Sequence, residues 1–159
     1  MACSGLVLAL ALGALVTATT DATAVKSCRG QAQKKASAID ISACEAAPCI
    51  LKKGTTVSIN IVFTPDHDIK QLRNRVLAKI AGIPFPFLGV DGTNSCPNIY
   101  NADGSTLAGC PLVAGTEYVY KNNFDVLPIY PTVSPLVHWS LQEGSIDVVC
   151  FEIQSKIIT

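Results

Sequence analysis

The chain has 159 residues, 49% of them hydrophobic and only 15% charged, and its twelve basic and twelve acidic side chains sum to a formal net charge of zero. That balance argues against a nucleic-acid footprint, and the aromatic-plus-basic clusters of such binders are absent. Ten of the twelve basic residues precede residue 80 while seven of the twelve acidic ones follow it, so the charge forms a dipole rather than a patch.

No charged residue occurs before Asp21. The apolar run at the start has the length of a signal-peptide core and falls short of the ~20 residues that span a bilayer. Small residues follow it. Val16-Thr17-Ala18 and Ala22-Thr23-Ala24 both fit a cleavage site, so residues 1–18 are expected to be a leader, cut between 18 and 24. Residues 19–159 are then one soluble, exported domain with length enough for a core. Losing the leader removes Cys3 and leaves Cys28, Cys44, Cys49, Cys96, Cys110 and Cys150. An even number in an exported chain suggests three disulfides, with the pairing open on count alone. Most simply, Cys44 and Cys49 close one short loop and Cys96 and Cys110 enclose a turn-rich segment. Cys28 and Cys150 would then tie the two ends together. There is no Cys-x-x-Cys pair and both histidines lie far along the chain from the cysteines, so no metal site is expected.

From Lys34 the pattern Ala36, Ala38 against Ser37, Ile39, Ile41 reads as a short strand leading to Cys44, and Lys52-Lys53-Gly54 as a turn. Val57, Ile59, Ile61 and Phe63 alternate with Thr56, Ser58 and Asn60, which predicts a strand with one buried face. Thr64 to Asp68 ends it as a turn. Lys70 to Ile80 fits a helical spacing through Leu72, Val76 and Ile80, and also a strand alternation; its strand-like neighbours favour the strand. Gly82 to Gly89 holds two prolines one residue apart, which bar a helix interior or a central strand. An extended, kinked segment carrying Phe85 and Phe87 is expected, either plugging a core or walling a hydrophobic site.

A long loop follows, closed by Cys96 and Cys110. Tyr118 and Tyr120 alternate with Val119. Leu127-Pro128-Ile129-Tyr130-Pro131 is again apolar and broken by prolines. Val133 to Leu141 places Val137 and Trp139 on one face and His138 on the other. Glu143-Gly144-Ser145 is a hairpin turn, and the last strand runs from Ile146 to about Ile158. Six or seven strands without clear helices predict an all-β fold, an antiparallel β-sandwich.

Motifs for catalysis are missing: no Gly-x-Ser-x-Gly elbow, no phosphate-binding glycine loop and no His-Glu-x-x-His. His67 is expected in solvent, and oxidised cysteines cannot act as nucleophiles. The chain therefore does not read as an enzyme. What remains is an excess of apolar side chains beside two proline-kinked aromatic segments. An empty apolar cavity of ~300 Å³ would cost about 7 kcal/mol at ~24 cal/mol per Å³. Three disulfides at ~2–4 kcal/mol each can offset that, so the composition permits a stapled sandwich with its sheets held apart.

The six-cysteine framework, Pro48-Cys49 after Cys44, Gly82-Ile83-Pro84-Phe85-Pro86-Phe87, Cys110-Pro111 before Tyr118-Val119-Tyr120, Leu127 to Pro131, and Trp139 together resemble the ML lipid-recognition family. The resemblance covers essentially the whole mature chain. Within that family these residues look most like those of the soluble sterol-transfer members, and group-two mite allergens are similar too. It implies an immunoglobulin-like antiparallel β-sandwich with an internal lipid cavity and the disulfides Cys28–Cys150, Cys44–Cys49 and Cys96–Cys110. It also implies that Phe87, Ile129 and Tyr130 contact sterol at the pocket mouth. By neighbourhood, Ile83, Phe85, Tyr120, Val137 and Trp139 join them.

The implied function is a secreted carrier that binds a sterol or related lipid and transfers it between membranes or proteins, with no cofactor besides that lipid. An innate-immunity module recognising microbial lipid such as lipopolysaccharide is the alternative. Expected partners are an anionic membrane surface, met by Lys70, Arg73, Arg75 and Lys79, and a membrane sterol-transport receptor. Three departures stand out. The Cys96–Cys110 loop is longer than the family's, the Leu127–Pro131 segment is shorter, and no Asn-x-Ser/Thr sequon occurs. The last favours secretion over glycan-directed lysosomal delivery.

Overall fold

The computed structural model describes residues 22–29, 36–42 and 44–159; the expected leader lies outside them. Ten strands form, β1 (Lys26–Ser27), β2 (Ala38–Ile41), β3 (Cys49–Lys52), β4 (Thr56–Phe63), β5 (Arg73–Ile80), β6 (Ile83–Pro86), β7 (Ile99–Asn101), β8 (Tyr118–Asp125), β9 (Leu136–Glu143) and β10 (Ile146–Ile158). The one helical piece among the described residues is a three-residue 3-10 turn, Cys96–Asn98. The strands make two facing sheets: one in the order β1-β10-β9-β5-β6, with β3 also on β10, the other in the order β2-β4-β8-β7.

The long strands follow from their alternation. In β4, Val57, Ile59, Ile61 and Phe63 are buried and the intervening positions are not. The ambiguous run resolves as β5, which pairs with β9 from Arg73↔Gln142 to Lys79↔Leu136. A strand buries Asn74, Val76 and Ala78 on one face, and the backbone hydrogen bonds of both neighbours complete it. β6 pairs with β5 across the two-residue loop Ala81–Gly82. Both loop residues have positive φ, +50° and +82°, as a tight hairpin of this length requires. β6 has β5 as its single neighbour, so its two prolines lie on a sheet edge, where they are tolerated.

There are more strands than the six or seven expected. β1, β3, β6 and β7 run for only two to four residues, too few to show a period. β3 pairs with β10 in parallel, from Cys49↔Ser155 to Lys52↔Ile158, an addition to the otherwise antiparallel scheme.

Cys28–Cys150, Cys44–Cys49 and Cys96–Cys110 are the three disulfides. The first closes a span of 122 residues and the second a span of 5. Loop-closure entropy therefore assigns about 5 kcal/mol to the first and about 2 kcal/mol to the second. The long one fastens the chain's beginning to the middle of β10.

Candidate functional site

The inner face of the larger sheet is a set of rungs fixed by register. Asn74 of β5 lies opposite Leu141 of β9; the next rung is Val76, Trp139 and Phe151; the next is Ala78, Val137 and Ile153. Facing them, β4 brings Ile59 and β8 brings Phe124, both buried. Between the sheets, along the second and third rungs, lies an apolar slit of only about 20 Å³. At ~24 cal/mol per Å³ such a void costs about 0.5 kcal/mol. That is far below the ~7 kcal/mol of a lipid-sized cavity, so the sheets pack closely along these rungs.

Next to the slit an open groove of about 430 Å³ is lined by Ala78, Ile80, Phe85, Pro86, Phe87, Leu88, Tyr130, Pro131, Val133 and Ile157. Phe87 lines both spaces. Its ring is buried and meets Tyr130 edge-on at 5.0 Å and Phe124 edge-on at 5.4 Å. Phe124 leans on Trp139 at 5.5 Å, and Trp139 stacks on Phe151 at 6.5 Å. A continuous series of aromatic rings therefore runs from the rim of the groove to the middle of the core. The backbone N–H of Phe87 donates to Val76 O at 2.9 Å, fixing the ring over the slit. Tyr130 bridges the groove by donating its hydroxyl to Leu88 O at 3.3 Å, and partial burial raises its pKa.

Of the residues expected at the site, the structure brings together Phe85, Phe87, Tyr130, Val137 and Trp139. Ile83 and Ile129 line neither space. They stand exposed, Ile129 at 79%, because the loop holding Ile129 turns it outward while Tyr130 turns in. Tyr120 also lines neither: its hydroxyl donates to Asn74 Oδ1 at 2.8 Å and accepts from Asn122 Nδ2 at 2.7 Å. It is a strut at the closed end of the slit. Burial pushes its pKa up to about 12. Sequence reasoning missed Phe124 and Phe151, along with Ile41, Ile59, Val76, Ile153 and Ser155, which also line the slit.

The four basic residues do not form one free patch. Arg75 pairs with Asp91 and Lys79 with Glu152, and the Glu152 carboxyl is held below its ordinary range by the Lys79 bond first and His138 second. Lys70 and Arg73 lie at or before the start of β5, about 20 Å of strand away from the hairpin tip beside the groove. His67 is half-exposed rather than free in solvent. Its Nε2 lies 3.2 Å from Glu143 Oε2 and its Nδ1 contacts Asp66, and the Asp66 bond chiefly raises its pKa above 6.5. His138 lies on the outer face as expected, yet within 3.6 Å of both Cys28 Sγ and Cys150 Sγ. Those sulfurs are bonded to each other, so no thiolate remains to bind a metal.

No helix among the described residues is long and apolar enough to cross a membrane. The ML domain family model matches residues 22–157. The chain is 35% identical over 133 residues to the NPC intracellular cholesterol transporter 2 homolog a of Drosophila melanogaster, covering 80% of this chain and 83% of that one. It is 34% identical over 112 residues to the ecdysteroid-regulated 16 kDa protein of Manduca sexta, covering 70% and 72%. A crystal structure of a Niemann-Pick type C2 protein from the Japanese carpenter ant has the same fold, with a TM-score of 0.65 at 24% identity over 78% of this chain and 92% of that one. The chain belongs to the ML domain family.

Proposed function

We propose that the protein is a secreted carrier that takes a sterol or related lipid between its two sheets and passes it on chemically unchanged. The observation that carries this reading is the position of Phe87, which separates an open apolar groove from a closed apolar slit. The groove is within the roughly 300–1,000 Å³ of small-molecule sites. Swinging Phe87 aside joins the two spaces, and a lipid that fills them repays the opening. A few hundred Å² of apolar burial at ~25 cal/mol per Å² yields several kcal/mol.

The similarity to a relative named as a cholesterol transporter supports a sterol as ligand. The apolar leader and three disulfides support export. Membrane contact is assigned to the exposed apolar side chains around the groove, Ile83, Phe85, Leu88 and Ile129. The basic run is less suited, because two of its charges are paired and the others are remote from the groove. A membrane receptor that accepts the lipid would meet the same rim.

Titration with a fluorescent sterol tests the proposal. The protein is expected to bind it, return it unaltered to extraction, and lose roughly tenfold in affinity on Phe87→Ala, which removes most of a ring's contact area. Failure to bind, or equal binding by the folded variant, overturns the assignment.

A further inference from the structure

The Cys28–Cys150 disulfide has a histidine beside it on the outer face of the larger sheet. His138 Nδ1 lies 3.6 Å from Cys28 Sγ, and His138 Nε2 lies 3.6 Å from Cys150 Sγ. Both sulfurs and a ring nitrogen fall within 4.8 Å of one another, the one group of three metal-donor side chains so placed among the described residues. Register produces it. Cys150 pairs with Ser140 and Glu152 with His138 across β9 and β10, while β1 runs along β10 and delivers Cys28.

Oxidised, these sulfurs are closed to a metal. Reduced, they are two thiolates beside an imidazole, a donor set that suits zinc. Tetrahedral zinc, with bonds of about 2.3 Å to sulfur and about 2.0 Å to nitrogen, sets neighbouring sulfur and nitrogen ligands about 3.6 Å apart. Each sulfur already has an imidazole nitrogen at that spacing. What is missing is a gap between the sulfurs, and cutting their bond opens it.

The imidazole is also oriented for the task. Glu152 Oε1 lies 3.2 Å from His138 Nδ1, and Lys79 pairs with the same carboxylate. A carboxylate on one ring nitrogen fixes the ring and raises the basicity of the other, which leaves Nε2 to bind metal. Cys28, His138 and Glu152 line an open groove of about 460 Å³. It shares no lining residue with the lipid groove. A reductant and a metal ion both have a way in, and water has room for the fourth coordination position.

We propose that Cys28, His138 and Cys150 become a zinc site when a dithiol reduces their disulfide. One thiolate of the dithiol attacks Cys28 Sγ, the S–S bond breaks, and Cys150 Sγ leaves as a thiolate. The second thiol then attacks the mixed disulfide, releasing Cys28 and closing the dithiol into its own disulfide. Two electrons pass from the dithiol to the protein, and the two protons it loses reach the cysteines through water. Zinc then displaces those protons as it binds both sulfurs. The ion takes over the work of the bond. β1 meets β10 at Lys26↔Glu152 and Ser27↔Phe151 alone, so little else holds it to the sheet.

The full protein is reduced with dithiothreitol, freed of it by gel filtration without oxygen, and titrated with Co²⁺ as a spectroscopic substitute for Zn²⁺. The reduced protein is expected to give the visible bands of a tetrahedral thiolate site at one ion per chain, erased by Zn²⁺; the oxidised protein gives none. His138→Ala and Cys28→Ser keep the cysteines of the other two disulfides, and each is expected to bind Co²⁺ weaker by roughly tenfold or more. Zn²⁺ should raise the unfolding temperature of the reduced protein, and do so less in His138→Ala. That second measurement decides even if reduction loosens the fold, because a metal that binds native strands drives the chain to refold. Absence of the tetrahedral bands, equal Co²⁺ affinity in His138→Ala, or an unfolding temperature indifferent to Zn²⁺ overturns the site.

Discussion

The Tyr120 hydroxyl donates to Asn74 Oδ1 across 2.8 Å, joining a strand of one sheet to a strand of the other. Asn74 in turn donates through Nδ2 to Thr93 Oγ1 at 3.0 Å, so the strut is anchored at its far side. This hydrogen bond ties the two sheets together one rung beyond Val76 and Trp139. Tyr120→Phe keeps the ring and strands the Asn74 carbonyl, which is expected to cost about 1–3 kcal/mol in urea denaturation. Sterol affinity should stay within about twofold, since the hydroxyl is not at the slit. A large loss of affinity with little loss of stability would return Tyr120 to the binding site.

The same burial makes a pH prediction. Desolvation raises the Tyr120 pKa from 10.0 to about 12, so the folded state holds this proton more tightly than the unfolded chain does. The stability linked to it is complete below pH 10 and is lost as the pH climbs through about 12. A spectrophotometric titration should show Tyr120 as the last of the four tyrosines to ionise, after Tyr130, whose pKa burial also raises, and Tyr120→Phe should delete that last step. Simultaneous ionisation of all tyrosines in the folded protein would contradict the burial of this hydroxyl.

Filling the slit separates its role from that of the groove. Val137 is buried and lines the slit alone. Val137→Phe forces extra volume between the sheets and is expected to cost about 1–3 kcal/mol of stability. Sterol affinity should drop more than tenfold while the groove keeps its shape. Undiminished uptake would place the lipid in the groove only, outside the sheets.

The disulfides are unequal in what they restrain. Replacing Cys28 and Cys150 together by serine is expected to lower stability by about 4–5 kcal/mol, and replacing Cys44 and Cys49 by about 2 kcal/mol, from the lengths of the loops they close. Thermal or urea unfolding of the two double variants measures the gap. Equal losses would mean that strain or residual structure in the unfolded chain, rather than loop entropy, governs both.

Where hydrophobic alternation was long, the chain could be read directly. Thr56–Phe63 and Ile146–Ile158 alternate over many residues, and both are strands. Arg73–Ile80 was legible only through its neighbours, because Leu72, Val76 and Ile80 serve a helix as well as a strand. β3 was hidden, since Cys49-Ile50-Leu51-Lys52 is too brief to carry a period. The site divides in the same way. Prolines single out the segments that hold Phe87 and Tyr130, and the resemblance to the ML family is what named those two residues within them. Phe124 could not be named, because it shares the inner face of β8 with Tyr120, and nothing in a strand's alternation tells which rung borders a void and which is packed solid. That distinction arises from how the two sheets meet.

β6 adds a last consequence. The tight loop at Ala81–Gly82 makes Ile83 and Phe85 the residues whose amides turn toward β5, continued by the observed bond from Phe87 N–H to Val76 O. Pro84 and Pro86 therefore occupy the positions whose amides would face outward, and neither has one to offer. A protein that shows grease to its surroundings risks recruiting a second copy of itself strand by strand, as bare sheet borders do. Here that border lacks donors beside the exposed Ile83 and Phe85, so it gives an incoming strand no amides to pair with.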